Sequence, residues 1–88
     1  MAECSVQILN KNGLHARPAA EIVKIAAKYQ ADVTLIRDGT EVNAKSIMGV
    51  MMLAAECGAT LTLRAEGSDA DAALEAIAGL IANKFGER

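Results

Sequence analysis

One short segment brings together residue types that suit nucleophilic chemistry on an anion. It reads Asn12-Gly13-Leu14-His15-Ala16-Arg17-Pro18-Ala19-Ala20, and His15 is the sole histidine of the chain. A neutral imidazole is a nucleophile. Arg17 adds a permanent charge and a planar fork of donors that matches phosphate oxygens. Pro18 is at home only in the first turn of a helix, where its missing N–H is no loss. A helix therefore starts at or beside His15. Its first N–H groups have no intrahelical partner, and its dipole puts partial positive charge there. That end attracts an anion and, with Arg17, disfavours an imidazolium. Ala16, Ala19 and Ala20 are small and leave room for an approaching group. The segment predicts a nucleophile beside an anion cradle formed by Ala16, Arg17 and Pro18. A phosphoryl group would use both parts. Residue order leaves open which ring nitrogen attacks.

The elements that must position this segment follow from hydrophobic periodicity. Residues 4–9 alternate, with Cys4, Val6 and Ile8 to one side, which predicts a half-buried strand. Asn10-Lys11-Asn12-Gly13 ends it with turn chemistry. Apolar residues then recur at helical spacing over residues 16–29. Residues 33–37 and 40–43 read as strands joined at Asp38-Gly39, a hairpin signal. Ser46 is a natural N-cap for a short methionine-rich helix over residues 47–56, with Gly58 at its exit. Residues 59–65 alternate again. Ser68 caps a last helix whose apolar face carries Leu74, Ile77, Ile81 and Phe85, with Lys84 and Arg88 at the favourable end of its dipole. The order is β-α-β-β-α-β-α. Four short strands with one wet face need helices on the other, which predicts an α+β open-faced two-layer sandwich.

Composition removes other classes. Eighty-eight residues, 52% of them apolar, predict a single domain, 1–88, with a modest aliphatic core. Nine basic against eleven acidic residues and two aromatics argue against a nucleic-acid binder. One histidine and two widely separated cysteines, Cys4 and Cys57, match no metal or redox spacing. The cysteines read better as buried thiols than as a disulfide. No apolar run is long enough to cross a membrane, and residues 1–5 lack the features of a signal peptide. These observations predict a cytoplasmic protein with no metal, no cofactor and no membrane insertion.

As a pattern, Gly13-Leu14-His15-Ala16-Arg17-Pro18-Ala19 is more specific than its physics alone. It resembles the active-site signature of the HPr family, the histidine phosphocarriers of the bacterial phosphoenolpyruvate:sugar phosphotransferase system. A second segment of that family is matched by Asn43-Ala44-Lys45-Ser46-Ile47-Met48-Gly49-Val50-Met51. Length, element order and the Asp38-Gly39 hairpin agree, so the resemblance covers the whole chain. It implies an antiparallel four-stranded sheet of order 1-4-2-3 with three helices on one face. It implies that His15 is phosphorylated on Nδ1 and that Arg17 assists transfer. It implies Enzyme I as donor, IIA domains as acceptors, and a monomeric carrier rather than a turnover enzyme. A nitrogen-branch phosphocarrier and a regulatory module of the same fold are the alternative readings. A site that two proteins reach in turn should be shallow and exposed. Ala16 occurs in the family alongside threonine, and residues 52–57 are less typical of it.

The second segment carries two further features. Ser46 is a helix N-cap on its own physics. The resemblance adds that the matching serine is phosphorylated in some bacteria by an HPr kinase/phosphorylase, which makes Ser46 a candidate regulatory site. Ile47, Met48 and Met51, extended by Leu14 and Ala20, are the expected docking patch for Enzyme I and IIA, whereas Met52 is expected to fill the core.

Overall fold

The computed structural model describes residues 2–87. Four strands and three helices follow one another as β1 (Ala2–Gln7), α1 (Ala16–Ala26), β2 (Asp32–Arg37), β3 (Thr40–Asn43), α2 (Ile47–Met52), β4 (Thr60–Glu66) and α3 (Ala70–Ala82). A 3-10 turn, Lys84–Gly86, closes the described chain. The strands form one antiparallel sheet of order β1-β4-β2-β3. Alternation sorts its faces as expected: Val33, Leu35, Leu61, Leu63 and Ala65 are buried, whereas Thr34, Thr62 and Arg64 keep partial contact with solvent. The helices cover the buried face and complete one contiguous core with Ile8, Ala19, Ile22, Val50, Leu74, Ile77 and Ile81. On the open face Arg64 lies between Glu3 at 3.3 Å and Glu41 at 3.4 Å, joining the edge strands through the centre.

Element ends differ from the periodicity where tertiary contacts intervene. Helix α1 stops at Ala26, and Lys28 and Tyr29 continue it only as i→i−3 turns to Ile25 and Ala26. Helix α2 ends at Met52, not Glu56. Ala54 turns left-handed there, with φ 50°. Three hydrogen bonds draw the chain out of the helix. Arg37 donates to the carbonyls of Leu53 (3.0 Å) and Ala54 (2.8 Å), and the Ala55 carbonyl accepts the Leu14 N–H at 2.8 Å. The first residue before α3 is Asp69 rather than Ser68, and its carboxylate turns away to accept the N–H groups of Gln30 (2.9 Å) and Ala31 (2.8 Å). Phe85 is buried as expected, yet not on the face of α3. Lys84 and Phe85 both have φ 56°, and this reversal folds the phenyl ring back into the core. Arg88 lies outside the described residues.

Several side chains correct the sequence reading. Met52 is 74% exposed, because Val50 of α2 and Leu53 just after it take the core-facing positions. Leu14 is 6% exposed and belongs to the core, so it cannot extend a docking patch. Both cysteines are free thiols, and Cys57 is exposed rather than buried. Burial pushes the half-buried Cys4 thiol above its usual range.

Candidate phosphoryl-carrying site

The site begins at Gly13, where the chain leaves the β1 side and must turn into α1. Gly13 has φ 66°, and a Cβ there would sit 2.5 Å from the Ala55 carbonyl oxygen. Only glycine satisfies both the left-handed backbone and this close approach. The turn is closed by the Gly13 N–H on the Asn10 carbonyl (3.1 Å) and the His15 N–H on the Gly13 carbonyl (3.0 Å). His15 is then the N-cap of α1, in extended backbone conformation, and its side chain makes no capping bond. The imidazole is released to face outward and is 39% exposed. Its carbonyl accepts the Ala19 N–H at 3.0 Å, and Pro18 has no N–H. The N–H groups of Ala16 and Arg17 are left without a hydrogen-bond acceptor among the described residues. Pro18 is buried and offers no donor, so the cradle contracts to Ala16 and Arg17. Ala20 is half-buried one turn along.

A carboxylate far along the chain completes the cluster. Glu87 Oε2 lies 2.8 Å from His15 Nε2 and 2.7 Å from Arg17 Nη2, while Oε1 accepts from Asn10 Nδ2 at 2.9 Å. Arg17 Nη2 also donates to the Phe85 carbonyl at 3.2 Å, so the reversed turn after α3 supplies two of the acceptors. The Asn10 amide foremost, then the Arg17 guanidinium and the His15 ring hold the Glu87 carboxyl below the usual carboxylate range, against partial desolvation. An ionised carboxylate only accepts. Nε2 must therefore carry a proton, and in the neutral ring the lone pair belongs to Nδ1. Glu87 Oε2 thus joins the imidazole, whose Nδ1 holds the lone pair, to the Arg17 guanidinium, at the helix start that carries the two free N–H groups.

Glu87 and Asn10 escaped the sequence reading. Asn10 reads as ordinary turn chemistry, and Glu87 is separated from His15 by 72 positions with no periodic signal to link them. Away from the cluster, Ser46 caps α2, its Oγ accepting the Gly49 N–H at 3.1 Å. Ile47, Met48 and Met51 are exposed on the same helix, which packs against α1.

Residues 2–83 match the family model described as the PTS HPr component phosphorylation site. The chain belongs to the HPr family. Members of this family include the phosphocarrier proteins of the phosphotransferase system. The chain is 54% identical over 83 residues to phosphocarrier protein HPr of Treponema pallidum, covering 94% of each chain. It is similar in structure to HPr-C-His from Thermoanaerobacter tengcongensis, with TM-score 0.96 at 46% identity, covering 100% of this chain and 99% of that one. Similarity extends to phosphocarrier protein NPr of Shewanella violacea (42% identical, over 97% of this chain and 93% of that one). It also extends to the HPr-like protein Crh of Halalkalibacterium halodurans (46%, over 92% and 96%). An HPr dimer from Thermoanaerobacter tengcongensis matches with TM-score 0.80 at 47% identity, covering 99% of this chain and 100% of that one.

Proposed function

We propose that this chain, acting as a single cytoplasmic carrier domain over residues 1–88, accepts a phosphoryl group from phospho-Enzyme I on His15 and passes it to a IIA domain. The observation that carries this reading is the Glu87 contact at Nε2, which leaves Nδ1 as the attacking nitrogen. In the acceptance step the Nδ1 lone pair forms the N–P bond as the donor's own bond to phosphorus breaks and that bond's electron pair stays with the donor. Positive charge that develops on the imidazole lies against the Glu87 carboxylate. Arg17 and the N–H groups of Ala16 and Arg17 meet the phosphoryl oxygens, and the step calls on no metal or other cofactor. Arg17 then exchanges one anion, Glu87, for another. Transfer to the acceptor is the reverse displacement, with imidazole as the leaving group.

Ile47, Met48 and Met51, with Ala20 at the margin, form the docking surface in this reading, because exposed methionines adapt to more than one partner. Ser46 is the regulatory position for an HPr kinase/phosphorylase. A phosphate there is tolerated by a helix N-terminus and adds negative charge beside the docking surface. The working form is a monomer, which sedimentation velocity tests against the dimer seen in a relative. The decisive experiment mixes the protein with Enzyme I and radiolabelled phosphoenolpyruvate. Acid-labile label is expected on the wild-type protein and none on His15→Ala. An unlabelled wild-type chain would refute the carrier role. Similarity to NPr and Crh gives the second reading, a nitrogen-branch carrier or regulatory module. Discharge of the label to a nitrogen-type IIA in preference to sugar-type domains would favour it.

A further inference from the structure

We propose that Asn10 is a positioning residue for His15: its buried amide anchors the Glu87 carboxylate against Nε2 and thereby presents Nδ1 to the phosphoryl group. The proposal rests on the carrier reading above and adds to it a residue remote from the reacting atoms. Asn10 is the one buried polar side chain among the described residues, with no exposed surface. Its Nδ2 donates to the Gly13 carbonyl at 2.7 Å and to Glu87 Oε1 at 2.9 Å. Its Oδ1 has no hydrogen-bond partner among the described residues. Rotating the amide would place Oδ1 against two oxygens, so this orientation is fixed.

A buried, unpartnered oxygen works against folding. The turn does not need it. Gly13 N–H closes on the Asn10 backbone carbonyl, and the Gly13 carbonyl keeps the His15 N–H if the amide is removed. Glu87 is thus the one partner that requires a side-chain donor at position 10. Arg17 cannot serve as the anchor. Its side chain is half exposed, and it must leave Glu87 when the phosphoryl group arrives. Asn10 makes no hydrogen bond to His15 or Arg17 themselves. The charged or titratable groups facing Glu87 are His15 and Arg17.

Asn10→Leu tests this, since it keeps the volume, removes the amide and deletes the orphaned oxygen. Heteronuclear NMR of the imidazole nitrogens is expected to show neutral His15 as the Nε2–H tautomer in the wild type and a mixture in Asn10→Leu. The Glu87 carboxyl should titrate at higher pH in the variant. Phosphoryl acceptance should fall about tenfold, the loss expected for one hydrogen bond to a charged group, in a protein that circular dichroism shows to be folded at the assay temperature. In a Glu87→Gln background the same substitution should add little, because Asn10 acts through Glu87. Asn10→Asp, which sets a carboxylate against Glu87, provides a second variant with the same expected loss of tautomer. An unchanged tautomer and an unchanged Glu87 titration in both variants would overturn the proposal. The two spectroscopic readings decide it even if the wild-type chain takes no label, an outcome that would remove the carrier reading instead.

Discussion

Two carboxylates show how this chain uses single residues to join distant segments. Glu87 gathers Asn10, His15 and Arg17. Asp69 gathers the backbone N–H groups of Gln30 and Ala31, tying the end of α1 to the start of α3. The Gln30 N–H foremost, with the Ala31 N–H and the Lys45 charge, holds the Asp69 carboxyl below its usual range. Both groups therefore have folded-state values under those of the unfolded chain. The unfolded chain takes up protons first as the pH falls, so the stability these groups contribute is present above about pH 4 and lost below it. Thermal midpoints measured from about pH 6 to about pH 3 should drop more steeply for the wild type than for Asp69→Asn. Parallel acid limbs would show that Asp69 contributes no such linkage.

Among the elements, α2 is held least by its own sequence. It has six residues, with a serine cap at one end and a strained alanine beyond the other. Ala54 adopts φ 50° with its side chain exposed, where helices commonly place glycine. A left-handed conformation costs an L-residue about 1–2 kcal/mol. Part of that is offset by the greater freedom glycine would have in the unfolded chain. Ala54→Gly should raise stability by about 1 kcal/mol in chemical denaturation, leaving the Arg37 bonds to the Leu53 and Ala54 carbonyls in place. A destabilised variant would mean that the Ala54 methyl group contributes packing that outweighs the strain. The helix matters because it carries both Ser46 and the exposed side chains beside α1.

For the molecule as a whole, the distribution of apolar surface is uneven. Ile47, Met48, Met51 and Met52 are all exposed on one short helix, although the core elsewhere is closed. Met48 is 77% exposed and so contributes little to folding. Met48→Glu should leave the unfolding midpoint within about 1 °C of the wild type, because exposed substitutions are nearly neutral. Phosphoryl transfer from Enzyme I should slow about tenfold or more, the scale of a central interface residue. Equal transfer rates in the two proteins would remove α2 from the docking surface.

The residues alone determined a good deal. Alternation in β1 and β4, the Asp38-Gly39 hairpin and Pro18 after His15 are local signals, and each acts within a few positions, so the element order, the helix start and the candidate nucleophile could all be read from them. The family signature implied the sheet order. The length of α2, the exposure of Met52 and the burial of Leu14 depended on which neighbours arrive from elsewhere in the chain. Arg37 and Leu14 pull α2 short by claiming the carbonyls of the three residues that follow it. Residue order alone left the ring nitrogen open, and the contact that favours Nδ1 comes from Glu87. Its carboxylate reaches His15 through a reversal at Lys84 and Phe85 that no periodicity announces, because left-handed backbone at two non-glycine residues is imposed by packing the phenyl ring rather than by local preference.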